Sequence, residues 1–107
     1  MNTISILYPN KLDSEFNFQY YTEIHMPRSI QLLSTHPGFK GVSVERGVGT
    51  AETGTEVPYI ALCHFTFDTV QSFIEAFTPH AMELQGDMKN FTEIIPIIQF
   101  NDILISQ

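Results

Sequence analysis

A histidine lies within an aromatic segment, FNFQYYTEIHMP, two residues before a proline. On a helix, spacings of three and four residues would place Phe18, Tyr21 and His25 on one face, which continues to Leu32. Imidazole titrates near neutral pH and exchanges protons readily, so a histidine on such a face is a candidate general acid or base. Pro27 has no backbone N–H, and we expect it to open room for a ligand beside the imidazole.

The helix should be interrupted at this proline. Without the N–H of Pro27, the Glu23 carbonyl loses its intrahelical donor, and Met26 is biased away from helical dihedrals. The alternative is that His25 is a core residue hydrogen-bonded to a backbone carbonyl, and that Pro27 only bends the helix. The pattern leaves both interpretations open.

Four residues of this helix are candidate site residues. The catalytic candidates are His25, which would move a proton, and Tyr21, which would orient the substrate or polarise one of its oxygens. Tyr20 and Phe18 are candidate substrate-binding residues. Tyrosine rings at such positions also serve as packing groups with a hydrogen-bonded hydroxyl, which is the alternative for both tyrosines.

Two histidines outside this helix are further candidate substrate-binding residues. If segment 78–87 is helical, His80 shares a side with Glu83 and Asp87. Their spacing differs from metal-ligand motifs such as H-E-x-x-H, so a solvated face is favoured, and we expect no metal and no other cofactor. His64 lies among apolar residues of a predicted strand, where it either lines a pocket or packs in a subunit interface.

The elements that position these residues alternate between strand and helix patterns. Strand patterns, rich in β-branched and aromatic residues, cover 3–8, 39–49, 57–67 and 94–105. Helical patterns cover 17–34 and 68–87, and the second restarts at Thr78-Pro79. The order β-α-β-β-α-β predicts one ferredoxin-like α+β sandwich domain over residues 1–107, with an antiparallel four-stranded sheet.

Capping residues indicate where both helices begin. Asn17 can accept hydrogen bonds from the first turn of the first helix, with Phe16 and Tyr21 placed for a hydrophobic staple. Asp68 is predicted to open the second helix, with Gln71 completing a capping box.

The predicted sheet has apolar side chains on both of its faces. In the third strand Phe65 points to one face and Leu62 to the other, and in the fourth strand Ile97 and Ile98 also lie on opposite faces. Two helices cover only one face, so another chain must cover the second. We therefore expect a homodimer in which two sheets pack face to face.

Charge excludes several classes of partner. Five basic residues against twelve acidic ones give a net charge of −7, which repels nucleic acids and anionic lipid surfaces. No apolar run approaches the roughly 20 residues of a membrane span, and the start of the chain does not have the pattern of a secretory signal, so a cytoplasmic location is expected. Cys63, the one cysteine, lies among strand residues and is expected to be a buried structural thiol.

Five segments together resemble one known family. They are LYPN at the end of the first strand, FNFQYYTEIHMP, GFKGVSVERG, PYIALCHFTFD and NFTEIIPIIQF. Their order and spacing, over nearly the whole chain, are similar to those of the EthD family, named for ethyl tert-butyl ether degradation. The resemblance implies a dimeric α/β barrel, the fold of cofactor-free polyketide monooxygenases and cyclases, muconolactone isomerases and some haem-degrading enzymes. It also implies that His25 lines a cavity between helices and sheet.

Two classes of function remain open at this point. One is an enzyme without a tightly bound cofactor that transforms a small apolar, aromatic or oxygenated molecule by proton transfer, cyclisation or reaction with oxygen. The other is a non-catalytic dimer that binds a small hydrophobic molecule in a degradation or biosynthetic pathway. A haem- or metal-dependent enzyme with a histidine ligand is a third alternative. Replacement of His25 separates the first two, because only an enzyme loses turnover as well as affinity.

Overall fold

The computed structural model describes all residues from 1 to 107. The four strands are β1 (Asn2–Pro9), β2 (Phe39–Arg46), β3 (Tyr59–Phe67) and β4 (Ile97–Asp102). The helices are α1 over residues 18–33, α2 (Val70–Phe77) and α3 (Ala81–Asp87), with 3-10 turns at Thr78–His80 and Met88–Asn90. The predicted order β-α-β-β-α-β is confirmed. None of the helices has the length and apolar composition that a membrane-spanning segment requires.

The strands form one antiparallel sheet in the order β2-β3-β1-β4. Ile6 of β1 lies opposite Cys63 of β3 and Ile98 of β4, so these three residues share one face of the sheet. Both helical connections pack on that face, as the consistent handedness of such crossovers requires. This is the predicted ferredoxin-like α+β sandwich.

The core lies between the helices and this covered face of the sheet. Its largest fully buried side chains come from both layers: Tyr21, Phe67, Ile4, Leu33 and Cys63. Each fully buried large apolar side chain contributes about 1.5–3 kcal/mol relative to an exposed one. The Cys63 thiol is free and buried, as predicted.

α1 is a continuous helix that contains one wide turn. It consists of the α-helical residues Phe18–Tyr20, a π-helical turn over Tyr21–His25 and the α-helical residues Met26–Leu33. In the wide turn the Met26 N–H donates to the Tyr21 carbonyl, five residues back. Pro27 lies in the first turn of the last segment, where its missing N–H is tolerated, so the wide turn replaces the expected break. The prediction that Met26 leaves helical dihedrals is wrong, since its φ is −68° and its ψ is −42°.

The start of α1 follows the prediction. The Asn17 side chain accepts a hydrogen bond from the Tyr20 N–H at 3.1 Å. The rings of Phe16 and Tyr21 form the staple, with centroids 4.9 Å apart. These contacts fix the direction in which the chain enters the helix.

The buried face of α1 differs from the prediction in its second half. Tyr21, His25, Ser29 and Leu33 are buried, whereas Leu32, which was predicted on this face, is only half-buried. A π turn holds more residues than an α turn and therefore shifts the phase of the residues that follow it. Leu33 consequently takes the core position expected for Leu32.

The cap predicted for the second helix is wrong. Thr69, not Asp68, is the N-cap of α2, and its Oγ1 accepts from the Ser72 N–H at 3.0 Å. Asp68 instead accepts from the Thr69 N–H at 2.7 Å. Gln71 lies within the first turn and forms no capping box, because a threonine one residue later offers the better cap geometry.

The uncovered face of the sheet carries a row of hydrogen-bonded polar side chains. Ser5 Oγ lies 2.8 Å from Nδ1 of His64, whose Nε2 lies 3.3 Å from Oε1 of Glu45. Asn101 Nδ2 donates to Ser5 Oγ at 2.9 Å and to Thr3 Oγ1 at 3.0 Å. The row crosses all four strands and gives this face a mixed polar and apolar character. The homodimer with two sheets packed face to face stays a prediction.

Candidate functional site

A cavity of about 560 Å³ lies between the helices and the covered face of the sheet. Its wall is mostly apolar and aromatic, with residues from α1, α2, α3, β1, β3 and β4. His25 is the one histidine in this wall, and no aspartate, glutamate, lysine or arginine lines it. The other hydrogen-bonding side chains of the wall are those of Tyr8, Tyr21, Ser29, Cys63, Thr78 and Gln85. The cavity therefore suits an uncharged and largely apolar molecule.

The wide turn of α1 presents His25 to this cavity. The residue is only 7% exposed, and its Nδ1 lies 2.9 Å from Oδ2 of Asp87 at the end of α3. The Ser29 hydroxyl donates to the His25 carbonyl at 2.9 Å. Phe91 packs on the imidazole, with ring centroids 4.6 Å apart. Together these contacts hold the imidazole in one orientation.

Asp87 is itself held by two further side chains. Its Oδ1 accepts from the Tyr20 hydroxyl at 2.6 Å and from Asn90 Nδ2 at 2.9 Å. Burial raises the pKa of the Asp87 carboxyl, but the hydrogen bonds from Tyr20, Asn90 and His25 outweigh burial and leave the pKa below its usual range. Asp87 is therefore ionised at neutral pH.

The hydrogen bonds assign the proton positions in the pair. Because a carboxylate only accepts, Nδ1 of His25 carries a hydrogen and Nε2 of the neutral ring has a free lone pair. Nε2 has no hydrogen-bonding partner within the chain. His25 can thus take a proton from a molecule in the cavity, and Asp87 stabilises the imidazolium that results.

Contacts after α3 bring Asp87 to α1. The Asn17 N–H donates to the Phe91 carbonyl at 2.8 Å, and the Thr92 hydroxyl donates to the Glu15 carbonyl at 2.7 Å. These bonds attach the segment after α3 to the chain just before α1. The start of α1 and the end of α3 therefore lie side by side, which brings His25 and Asp87 into contact.

The Tyr21 hydroxyl lies deep in the core. The residue is 1% exposed, and the hydroxyl is buried without a hydrogen-bonding partner. Burial and, to a smaller extent, the neighbouring Cys63 and Tyr8 raise the pKa of Tyr21, and burial raises the pKa of Cys63 to about 12. Tyr21 stays protonated, so it can donate a hydrogen bond but cannot act as a base.

Of the six candidate site residues, the structure brings two into the cavity wall, His25 and Tyr21. Tyr20 lies outside the wall and donates to Asp87, so it supports the histidine indirectly. Phe18, predicted to bind substrate, also lies outside the wall. It belongs to the first turn of α1, where the guanidinium of Arg46 lies over its ring at 4.5 Å from the centroid.

The two other histidines also lie outside the cavity. His64 points to the uncovered face of the sheet because side chains alternate along β3, and its neighbour Cys63 takes the cavity side. His80 ends the 3-10 turn before α3 and does not line the cavity. Glu83, predicted on the same side as His80, binds Arg28 of α1 at 2.7 Å, and this hydrogen bond, with a smaller contribution from the nearby His80, lowers the pKa of Glu83. No three His, Cys, Asp or Glu side chains are arranged to hold a metal ion.

Three residues of the site were missed from the sequence: Asp87 as the partner of His25, Asn90 and Phe91. Asp87 was considered only with residues of its own helix, because helical spacing reports only local neighbours. One signal could have found it. In a split βαβ fold the two helices lie side by side on one face, so a carboxylate at the end of the second can reach the first.

A comparison with family models matches residues 10–94 to the EthD domain. The chain is 26% identical to an EthD-like protein of Ralstonia eutropha, whose crystal structure gives a TM-score of 0.92 over 99% of this chain and 94% of that one. It is 21% identical to an ethyl tert-butyl ether degradation family protein of Bacillus halodurans, with a TM-score of 0.69 over 97% of this chain and 99% of that one. No match was found among curated proteins.

A more distant structure shares the fold alone. SnoaB, a cofactor-independent oxygenase from Streptomyces nogalater, is 12% identical, with a TM-score of 0.60 over 98% of this chain and 93% of that one. Sequence identity at this level shows the common fold and leaves the chemistry to be argued from the site.

Proposed function

Because the chain belongs to the EthD family and has an apolar cavity with a histidine–aspartate pair at its wall, we propose that it is a small-molecule enzyme that acts by proton transfer. The observation that carries the proposal is the 2.9 Å contact between Nδ1 of His25 and Oδ2 of Asp87. This contact leaves Nε2 as the proton acceptor. The step needs no cofactor.

The substrate class follows from the cavity wall. Apolar and aromatic side chains dominate the wall, and no fixed charge lies in it, so a charged substrate would lose its hydration without compensation. A neutral aromatic or alicyclic molecule with one or two oxygens fits this environment and the volume of about 560 Å³. Such a compound belongs in a degradation or biosynthetic pathway.

The proposed step removes a proton from an acidic C–H or O–H of the substrate. Nε2 of His25 accepts the proton, and the electron pair stays on the substrate as an enolate or phenolate. The imidazolium lies beside this anion, and Asp87 balances its charge through Nδ1. When a bound substrate moves the Tyr21 hydroxyl out of its buried position, this hydroxyl donates a hydrogen bond to the substrate oxygen.

The anion can react further in three ways. It can be reprotonated at another carbon, it can close a ring on a carbonyl of the same molecule, or it can be oxidised by molecular oxygen. The oxygen reaction has a parallel in the fold, because SnoaB is a cofactor-independent oxygenase. All three outcomes begin with the same proton transfer to His25.

Deuterium uptake tests this first step without knowledge of the natural substrate. A panel of aromatic ketones of one to three rings, such as 2-tetralone, is incubated with the protein in D₂O, and NMR follows exchange at the C–H next to the carbonyl. We expect the wild type to accelerate exchange of a bound ketone, and we expect the exchange rate with His25→Asn to be about 10²–10⁴-fold lower. Asp87→Asn should lower the rate at least tenfold, because an amide cannot stabilise the imidazolium.

A matched control makes the test specific. Val48→Glu alters a residue that is 94% exposed on the connection between β2 and β3, and it should exchange at the wild-type rate. If His25→Asn binds the same ketones and exchanges them as fast as the wild type, the proposed function is wrong.

A non-catalytic binding protein is the second candidate function. One observation favours it: the cavity wall contains no second histidine and no carboxylate that could return a proton at another position of the substrate. In that case the wild type would bind ketones without accelerating exchange, and His25→Asn would lower affinity alone.

A further inference from the structure

The Tyr21 hydroxyl is the one buried side-chain nitrogen or oxygen atom of this chain without a hydrogen-bonding partner. Buried tyrosine hydroxyls usually find a partner, because an unpaired polar group in the core destabilises the folded protein. The residue is 1% exposed and belongs to the cavity wall. Phenylalanine would fill the same space without this cost, so packing alone does not account for the hydroxyl.

The neighbours of this hydroxyl in the core do not satisfy it. The Cys63 thiol lies nearby, and burial raises its pKa to about 12, so it stays protonated. A thiol is a weak hydrogen-bonding group, and this one is not in hydrogen-bonding geometry with the hydroxyl. The Tyr8 ring packs against the Tyr21 ring edge to face, with centroids 6.0 Å apart, and provides no partner either. A molecule in the cavity can supply the acceptor that the chain does not.

The wide turn of α1 places Tyr21 beside the proposed base. Tyr21 is the first residue of this turn and His25 is the last. Their rings are stacked, with centroids 5.9 Å apart and an angle of 15° between the planes. Phe91 packs against both rings, at 5.0 Å from that of Tyr21 and 4.6 Å from that of His25. One small molecule can therefore reach both polar groups with neighbouring atoms.

We infer that Tyr21 is the specificity-determining residue of the cavity, and that its hydroxyl selects molecules with an uncharged carbonyl oxygen over hydrocarbons of the same shape. A carbonyl oxygen accepts the hydrogen bond that the hydroxyl lacks, whereas a hydrocarbon leaves the hydroxyl unpaired. The inference rests on the proposed function for the role of the cavity. It adds the group that is recognised, a carbonyl next to the C–H from which His25 takes the proton.

A ligand reaches the hydroxyl after a small movement of the wall, because the hydroxyl is covered by its neighbours. Met26 and Met88 belong to the same wall. Methionine side chains are unbranched and adapt their shape at low cost, so they can accommodate a ligand that extends toward Tyr21.

Two compounds that differ by one carbonyl test the inference. 2-Tetralone and its hydrocarbon counterpart tetralin share a two-ring skeleton, and each is used to displace the fluorescent probe N-phenyl-1-naphthylamine from the full-length protein. We expect Tyr21→Phe to bind 2-tetralone at least about tenfold more weakly than the wild type and to bind tetralin at least as tightly. The ratio of the two affinities is the quantity compared, because general effects on packing cancel in it.

Thermal unfolding without a ligand adds a second measurement. Tyr21→Phe removes an unpaired hydroxyl and keeps the ring, so its Tm should be higher than that of the wild type by roughly 4–8 °C at the same protein concentration. A more stable variant that has lost its preference for the ketone is expected for a group that serves binding rather than folding.

Tyr59→Phe is the matched control. It also removes one tyrosine hydroxyl, but Tyr59 lies at the start of β3, is half-buried and does not belong to the cavity wall. This variant should keep the wild-type ratio of the affinities for 2-tetralone and tetralin.

Three outcomes would overturn the inference. An unchanged affinity ratio in Tyr21→Phe would show that the hydroxyl does not recognise the carbonyl. A lower Tm of this variant would show that the hydroxyl is hydrogen-bonded within the folded chain. Loss of the ketone preference in Tyr8→Phe alone would assign the carbonyl to the other tyrosine of the wall.

Deuterium exchange is scored separately from binding. A wild type that prefers 2-tetralone through Tyr21 but exchanges none of its C–H keeps this inference and refutes only the proposed function. A wild type that exchanges the ketone with no contribution of Tyr21 to the affinity ratio keeps the proposed function and refutes only this inference.

Discussion

Asp87 gives the imidazole of His25 a fixed acceptor, although 62 residues separate the two in the sequence. Tyr20 and Asn90 hold the other carboxylate oxygen, so that the pair behaves as one hydrogen-bonded unit. Networks of this kind depend on every member, because an unpaired polar group in a partly buried site is costly. Loss of the carboxylate should therefore affect stability as well as catalysis.

Replacement of Asp87 by asparagine tests how the free energy of unfolding depends on pH. In the folded protein the pKa of Asp87 is lowered below the unfolded value of about 3.9. The ionised carboxylate therefore stabilises the folded state above pH ~3.9, and this stabilisation is lost as the pH falls through the folded pKa. We expect the variant to lower the free energy of unfolding by about 1–3 kcal/mol at pH 7. The difference from wild type should shrink as the pH falls below ~4 and should be lost once the pH has passed below the folded pKa of Asp87, where both side chains are neutral. Urea unfolding at each pH measures it.

A matched control is Glu56→Gln, which removes an exposed carboxylate that has no hydrogen-bonded partner. It should leave the free energy of unfolding close to that of wild type throughout this pH range. A constant difference between Asp87→Asn and wild type from pH 7 to pH 2 would contradict the prediction, because the effect would then be independent of the carboxylate charge.

The sequence reveals single residues of the site better than their partners. His25 was predicted to face a cavity because it lies on an apolar helical face and because the resemblance supports that placement. Its carboxylate partner was not predicted, because pairing depends on how α3 and α1 are brought together by the Asn17–Phe91 backbone bond. No local spacing encodes that contact.

At the scale of elements, the wide turn of α1 is what aims the histidine. The Met26 N–H bonds to the Tyr21 carbonyl, and Pro27 follows immediately. Strand and helix patterns have periods of 2 and 3.6 residues and were therefore readable from the sequence. The π turn was not, since a proline early in a helix is equally compatible with a kink, a break or a change of turn.

Replacement of Pro27 by alanine tests this role. Alanine supplies the missing N–H, so residues 21–25 can adopt a regular α turn that rotates His25 away from Asp87. We expect the deuterium-exchange rate to fall at least tenfold, because small misplacements of a reacting group have large effects. The free energy of unfolding should change by no more than about 1 kcal/mol, because the proline occupies a tolerated first-turn position. Kinetics and urea unfolding measure the two quantities.

Gln31→Ala, on the exposed side of the same helix, is the control and should retain the wild-type exchange rate. NMR of the imidazole N–H adds a direct view of the contact. If Pro27→Ala keeps both the exchange rate and the Nδ1–H signal of the hydrogen-bonded ring, the wide turn does not depend on the proline.

At the scale of the whole molecule, the sequence predicted the architecture, and the homodimer with two sheets packed face to face stays a prediction. The distribution of exposed apolar side chains over the sheet was not predicted, because apolar side chains on both faces of a strand do not reveal which strand the helices leave uncovered. Strand order determines that point. With the order β2-β3-β1-β4, the most exposed apolar side chains of the sheet gather on β4, and the central open face carries polar residues.

The predicted homodimer with two sheets packed face to face would make thermal stability depend on protein concentration. Unfolding releases two chains, so mass action stabilises the folded dimer as concentration rises. Between 1 and 100 μM we expect the wild-type Tm to rise by roughly 5–10 °C, and the Tm of Ser43→Arg, on the uncovered sheet face, to stay constant over the range in which it is monomeric. Differential scanning calorimetry measures both. A concentration-independent Tm for the wild type, with a monomer in sedimentation, would contradict the predicted homodimer and would mean that a single chain keeps the apolar side chains of its uncovered sheet face in water.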